Sequence, residues 1–517
     1  MTPSSQPTRR PRIAYLSYSS AEFDSRTQRM ARSAIDNGYD VVVYARWEPG
    51  LAVELDAGDY RVVRVPIDLQ RLVPRLLRPL LRRSSTTVSA TTDATATPTG
   101  AAAPSAVGST GSGAGGADPK RVLLAAARPG RRGPRTILAE SRVGPAFLFA
   151  YGIARAPLRW WRQAITFPLR PMAWAAGVDE VAEPADLWHG MWAGSLPALA
   201  RLRARHGGRT IYDSRDIYLH ARFFSQMGSL RRALYQRLER RWAQAADAVL
   251  TVNEPYADIL TESLRIPRPE IVMNCPVRWQ PPEPRPDLIR ERIGLPAGTA
   301  VVLYQGNLMT ERGIEESMVA IQDVPNAALA LLGYGGLRAQ IAAAVARPPL
   351  AGRVFLLDAV PPSELLRWTA SADVMLMAIQ PTTLNHRHTT PQKLFEALAA
   401  GVPIVASDLP AMAAVVTETG AGVLCDPTSP ASIAAAIRSI LELAPAERDA
   451  LRTRALRAAH DRYNWERQTD VLFRLYRRLL GAAAPAPAAA PAAPAAVPGP
   501  SPAPTAVAAD DRLGTGG

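Results

Sequence analysis

Cysteine is nearly missing from this chain: Cys275 and Cys425 are the only two among 517 residues. That excludes a small disulfide-stapled scaffold and suits a reducing compartment, so a cytoplasmic location is expected. Two distant cysteines and six scattered histidines supply no metal-ligand spacing, and no metal site is expected. No uninterrupted run of about 18 uncharged apolar residues occurs, so no spanning helix is expected. Residues 1–20 lack the apolar centre of a secretory leader, because Arg9 and Arg10 lead straight into a strand pattern. Acidic charge is scarce as well, leaving a net charge of +14. Nearly all of that excess lies in residues 71–170, where fifteen arginines and Lys120 face only Asp93, Asp118 and Glu140. Such a block can attract nucleic acid or an anionic membrane surface.

What is present suits two globular domains: 517 residues, 47% of them hydrophobic. Residues 12–18 read as a buried strand, 25–37 as a helix stopped by Gly38, and 41–46 and 61–67 as further strands. Strand, helix and strand at this spacing predict a right-handed parallel βαβ unit. Alternation resumes with a strand at 186–190, a helix at 195–206, a strand at 210–213, a long basic helix at 230–246 and a strand at 248–252. Residues 271–276 close the first half, and Pro-rich 281–286 reads as a linker. The second half carries strands at 300–305, 327–332, 354–357, 374–378 and 402–406. Two doubly wound, Rossmann-like α/β domains are expected, 12–281 and 282–460, with ligands at the carboxyl ends of their strands.

Residues 1–11, a Ser/Thr/Ala/Gly/Pro insertion at 84–118 and an Ala/Pro-rich tail at 481–517 are expected to be disordered. The run Gly111-Ser112-Gly113-Ala114-Gly115-Gly116 matches the dinucleotide fingerprint formally, but no strand precedes it and no helix pattern follows, so it reads as chance. Residues 137–176 interleave Phe147, Phe149, Tyr151, Trp160, Trp161, Phe167 and Trp174 with Arg155, Arg159, Arg162 and Arg170. Helices in a membrane interface, with arginines reaching phosphates, would have this composition. Helices packed on the first domain, or a lid over its cleft, would share it.

Two segments carry chemistry. In Thr390-Pro391-Gln392-Lys393-Leu394-Phe395-Glu396-Ala397-Leu398-Ala399-Ala400-Gly401, Thr390 is a candidate N-cap, Pro391 fits the first helical position, and Gly401 ends a helix over 393–400. The start of such a helix is an anion site. Glu396, a turn and a half further in, can reach a neutral polar group beyond that anion. An anion followed by a diol is the outline of a nucleoside diphosphate. The alternative is an ordinary αβ unit with one exposed Glu. In Gly306-Asn307-Leu308-Met309-Thr310-Glu311-Arg312-Gly313, glycines let backbone approach a phosphate closely, and Arg312 offers a planar, permanently charged fork. A surface turn with a solvated arginine is the alternative.

Together these segments resemble the donor-binding motifs of the GT-B glycosyltransferases, in particular retaining family 4, the glycosyl transferases group 1 type. The resemblance spans 12–67 and 186–480 and implies a GT-B fold: the two domains facing a cleft, with a helix at 461–480 crossing back. It implies that Glu396 hydrogen-bonds the ribose, that Arg312 neutralises the departing diphosphate, and that Lys393 lies near the same phosphate, although Lys393 could equally face solvent. Gly306, Asn307 and Thr390 would line the donor, and Gly333 and backbone near Val360 would house the base. His388 stands where the family often has a sugar-contacting Glu. In the first domain, Asp24 and Arg26 open a helix; Asp24 is a cap or a cleft residue, and Arg26 a candidate phosphate ligand. Arg215 fills the last position of Asp213-Ser214-Arg215, where relatives carry Asp-x-His. A guanidinium cannot act as general base, but front-face attack with the leaving phosphate taking the acceptor proton needs none. His189 is a further cleft candidate or a structural histidine.

No Asp-x-Asp occurs, so neither a bridging metal nor a cofactor is expected beyond the nucleotide-sugar co-substrate. The implied function is retaining transfer of a hexose-type unit from a nucleotide-diphosphate sugar to a glycan, lipid-linked or small-molecule acceptor. A GT-B sugar-nucleotide epimerase using Asp213 and Asp216, or a silent binding protein, are the other readings. For 71–170 the resemblance and the neighbouring apolar residues favour an anionic membrane surface, on the inner face, over nucleic acid.

Overall fold

A computed structural model describes residues 9–72 and 165–485, apart from 23, 222, 223, 225 and 226. The insertion expected at 84–118, most of 71–170 and 137–176, and most of the tail lie outside the described residues.

The first domain holds an eight-stranded sheet: β1 (Arg12–Ser17), β2 (Asp40–Arg46), β3 (Glu54–Asp56), β4 (Arg61–Val65), β5 (Leu187–Met191), β6 (Arg209–Asp213), β7 (Ala248–Thr251) and β8 (Glu270–Ile271). Their order is β3-β4-β2-β1-β5-β6-β7-β8. Every pair is parallel except β3–β4. β1 is buried from Ile13 to Ser17, as a central strand covered on both faces must be. β3 was not expected from the sequence; all three of its residues are exposed at the sheet edge, so no apolar run announces it. Residues 271–276, read as closing the first half, begin at the end of a two-residue strand, Glu270–Ile271.

The second domain holds six parallel strands: β9 (Ala300–Gln305), β10 (Ala327–Leu332), β11 (Val354–Leu357), β12 (Val374–Met377), β13 (Ile404–Ser407) and β14 (Gly422–Cys425). They run β11-β10-β9-β12-β13-β14. β13 begins two residues later than expected, because Gly401 turns at φ +64° and the Val402 N–H bonds back to Ala397. Strand order reverses at β1/β5 in one domain and at β9/β12 in the other, and such reversals open crevices at the strand ends. The helix Trp465–Leu480 packs on the first domain, where Trp465, Leu472, Phe473 and Tyr476 join Ile13, Tyr15 and Met30 in one core.

Two doubly wound domains therefore face one another, and side chains tie them together. Asn385 donates to Asp216 Oδ1 (2.9 Å) and accepts from the Ile217 N–H (2.8 Å) and the Tyr256 hydroxyl (2.7 Å). Asn253 donates to the His388 carbonyl (2.9 Å) and to Thr390 Oγ1 (3.1 Å). Asn274 Nδ2 donates to Gln392 Oε1 at 2.8 Å. Leu384 packs against Ile217, Val252 and Tyr256, closing this contact with an apolar patch.

Candidate active site

On the second-domain side the site is built around the loop after β9. Gly306 and Gly333, at the ends of β9 and β10, approach so closely that a Cβ on Gly333 would sit 1.9 Å from the Gly306 carbonyl oxygen. Gly313 has φ +68°, and a Cβ there would meet the Ala378 carbonyl oxygen at 2.0 Å. No side chain fits either position, so the loop's path is fixed by glycine. The Asn307 carbonyl accepts from the Tyr304 hydroxyl at 2.8 Å. Lys393 Nζ lies 3.9 Å from the Tyr304 ring centroid, beside Gly306. Burial, and then the nearby Arg312 guanidinium, push the Lys393 pKa down to about 7. Neither cation is paired with a carboxylate among the described residues. A guanidinium and an amine at a glycine loop, neither held in an ion pair among the described residues, are groups that can receive a doubly charged anion.

The helix expected over 393–400 is Gln392–Ala399. Pro391, at φ −69° and ψ 145°, takes the cap position without a side-chain cap bond. Thr390 is thus not the cap: its hydroxyl accepts from Asn253 across the domain contact. Glu396 is only 6% exposed. Gln305 Nε2 donates to one carboxylate oxygen (2.6 Å) and Gln392 Nε2 to the other (2.7 Å), while Thr369 Oγ1 donates to Gln305 Oε1 (2.8 Å). Burial raises the Glu396 pKa against these two amide donors. Each oxygen keeps a second lone pair for a hydroxyl donor. His388 is half-buried, its Nδ1 lies buried without a hydrogen-bond partner, and burial and Arg387 lower its pKa, favouring the neutral ring. The Val360 side chain packs on the second-domain core, which leaves only its backbone for recognition.

The first-domain residues divide into two layers. Arg26 is 1% exposed and forms a two-point ion pair with Asp213, Nε–Oδ2 at 3.0 Å and Nη2–Oδ1 at 3.2 Å, while Nη1 donates to the Val272 carbonyl at 2.7 Å. It is therefore not a free phosphate ligand in the cleft. One position into its helix, its side chain turns inward to the sheet. Asp213 is fully buried; burial opposes its charge, but Arg26, His189 and Arg215 hold its pKa well below the carboxylate range. His189 is also fully buried, with Nδ1 2.7 Å from the Tyr476 hydroxyl and Nε2 3.8 Å from Asp213. Burial lowers its pKa, the mark of a structural neutral histidine. Asp213 and His189 form a buried brace beneath the cavity, and Arg26, whose donors are taken by Asp213 and Val272, forms part of its wall.

Above that brace, Asp24 and Arg215 reach the cleft. Asp24 does cap its helix, accepting from the Thr27 N–H at 3.1 Å, and pairs with Arg215 Nη1 at 2.8 Å. Arg215 also lies 3.5 Å from Asp213, so its charge is balanced by two carboxylates. Burial opposes that charge, and the two partners raise the Arg215 pKa. Asp216 is pushed upward by burial, with Asn385, Arg215 and Arg312 opposing. A cavity of about 300 Å³ opens here between the domains, lined by Ser19, Ser20, Asp24, Ser25, Arg26, Trp192, Arg215, Asn274 and Gln392. Sequence reasoning missed Gln305, Gln392, Asn385 and Trp192. Only Gln305 carried a signal, as the residue between a buried strand and Gly306.

Comparisons with known proteins agree with this architecture. The family model described as glycosyl transferases group 1 matches residues 287–457, and that described as glycosyl transferase 4-like domain matches 117–276. Together they cover more than half of the chain, which belongs to the GT-B glycosyltransferases of the family 4 type. The chain is 29% identical over 206 residues to D-inositol 3-phosphate glycosyltransferase of Segniliparus rotundus, a match covering 38% of this chain and 44% of that protein. The matched stretch thus spans less than half of that relative. Sucrose-phosphate synthase from Thermosynechococcus elongatus shares the fold with a TM-score of 0.58 at 16% identity, over 91% of this chain and 99% of that one. The Anabaena protein HepE, solved in complex with UDP and glucose, does so with a TM-score of 0.57 at 13% identity, over 91% and 100%.

Proposed function

We propose that this protein transfers a sugar from a nucleoside-diphosphate sugar to an acceptor hydroxyl, with retention of anomeric configuration and without a metal. The observation that carries the reading is that Arg312 and Lys393 flank the Gly306 loop without an ion-pair partner among the described residues, with Glu396 one helical turn beyond Lys393. Breaking a glycosyl–phosphate bond builds negative charge on the diphosphate, and a well-placed donor contributes about 3 kcal/mol to such a transition state. Glu396, held by two glutamines, offers lone pairs to ribose hydroxyls. His388, neutral and short of one hydrogen bond, would take the place of the sugar-contacting Glu. The binding of UDP by HepE supports the nucleotide part of this reading. The leaving phosphate oxygen would accept the acceptor proton, since Asp213 and His189 are buried away from the cleft and Arg215 cannot act as a base.

Incubation with a panel of labelled sugar nucleotides in excess EDTA tests this. Release of nucleoside diphosphate, with a retained anomer in the product by NMR, supports the proposal. An altered sugar still attached to its nucleotide would instead show epimerisation, and no turnover of any donor would leave only binding. Among the described residues no helix is long and apolar enough to cross a membrane. The basic residues 71–170 would hold the protein to anionic lipid on the cytoplasmic face, a proposal checked by salt-dependent co-sedimentation with anionic but not neutral liposomes.

A further inference from the structure

Trp192 follows β5 with φ +68° and ψ +156°, a backbone region that is essentially reserved for glycine. Neighbouring groups hold it there. Its N–H donates to the Asp213 carbonyl at 3.0 Å, and its own carbonyl accepts from the Ser195 N–H at 3.0 Å and from Ser195 Oγ at 2.8 Å. The consequence is an indole that stays 43% exposed, on the wall of the interdomain cavity, where a core position would have hidden it. Around that aromatic face the cavity offers small hydroxyls and amides, Ser19, Ser20 and Asn274, together with the Asp24–Arg215 ion pair.

The charges sort the two halves of the cleft. At the donor loop neither Arg312 nor Lys393 is held in an ion pair among the described residues, although Glu396 acts on Lys393 and Asp216 on Arg312 from further off. In the cavity, each described arginine is already neutralised, Arg215 by Asp24 at 2.8 Å and Arg26 by Asp213 at 3.0 Å. A phosphorylated ligand there would have to displace Asp24 and would meet its negative charge. A sugar or cyclitol ring has an apolar CH face and a rim of hydroxyls, which matches a flat aromatic surface opposite neutral and paired polar groups.

We propose that Trp192 is the platform for the acceptor, and that the acceptor group bound there is a neutral, hydroxyl-rich ring. This rests on the glycosyl-transfer reading and narrows its acceptor class. Saturation-transfer NMR on the full chain with bound UDP, using glucose and myo-inositol beside glucose 6-phosphate and inositol 1-phosphate, tests it. The neutral rings should show ring-proton saturation in the wild type and in Trp192→Phe, and at least tenfold weaker binding in Trp192→Ala. Trp192→Gly keeps the experiment decisive if the alanine variant misfolds: glycine tolerates this backbone, so Tm should not fall while ring binding is lost. Unchanged ring binding in Trp192→Gly, tighter binding of the phosphorylated rings, or no ring signal at all would overturn the proposal. UDP binding measured by calorimetry on the same samples separates this from a failure of the nucleotide reading.

Discussion

Asn385 of the second domain presents its amide to the carboxylate of Asp216 in the first, 2.9 Å away. The same side chain accepts from the Ile217 N–H and the Tyr256 hydroxyl, so one residue satisfies three groups across the cleft. A contact of this kind ties the two domains across the cleft.

Replacing Asn385 with Ala should therefore favour opening of the cleft. Loss of these bonds is expected to weaken closure by about 1–3 kcal/mol. Small-angle scattering should show a larger radius of gyration for the variant, with unchanged secondary structure by circular dichroism. An identical scattering profile, with and without nucleotide, would mean that the clasp contributes nothing.

In the proposed donor site, Lys393 would give nucleotide binding a pH dependence. In the free protein its pKa is pushed down to about 7, whereas a bound diphosphate favours the charged form. Above pH 7, binding must then take up a proton, and affinity should fall by up to about tenfold per pH unit between pH 7 and 9. The nucleotide's own phosphates, with a second pKa near ~6, are already ionised there. Calorimetry in buffers of different ionisation enthalpy should detect the uptake, and Lys393→Met should abolish it. A flat affinity profile in the wild type would place Lys393 away from the phosphates.

Glu239 is 4% exposed and receives one hydrogen bond, from the Tyr212 hydroxyl at 3.2 Å. Burial raises its pKa to about 7. The folded state therefore holds a proton that the unfolded chain releases near pH 4.5, the ordinary value for this group. The associated stability is complete below pH 4.5 and is lost as pH rises to 7, a change of about 3 kcal/mol. Glu239→Gln should remove that slope from chemical denaturation curves and be the more stable protein at pH 8. Parallel stability profiles for the two proteins would contradict this assignment.

Much of the fold was legible because parallel strands buried on both faces are continuous apolar runs, as in Ala327–Leu332. β3 escaped because it is an exposed edge, and β14 because Gly-Val-Leu-Cys is short and begins with glycine. The loop after β9 was legible because its path tolerates only glycine at Gly313 and brings Gly306 against Gly333, where a Cβ also finds no room. Asp213 was misplaced toward the cleft, Arg26 lines the cavity but spends its donors on Asp213 and Val272, and His189 takes the structural one of its two readings, all for a geometric reason. A residue at a strand end or helix start can point above or below the sheet edge, and spacing alone does not choose. Asn385 and Gln392 act through partners in the other domain, which no local pattern encodes.

The proposed grip of Arg312 and Lys393 on a diphosphate is tested most directly by comparing a nucleoside diphosphate with its monophosphate. The nucleotide giving the largest thermal shift among UDP, ADP and GDP should be titrated by calorimetry beside its monophosphate, into wild type and Arg312→Ala. The wild type should prefer the diphosphate by at least about tenfold, and the variant should lose about 1.5–3 kcal/mol of diphosphate binding and little of monophosphate binding. An Arg312→Ala protein that keeps the full preference for the diphosphate would contradict the account.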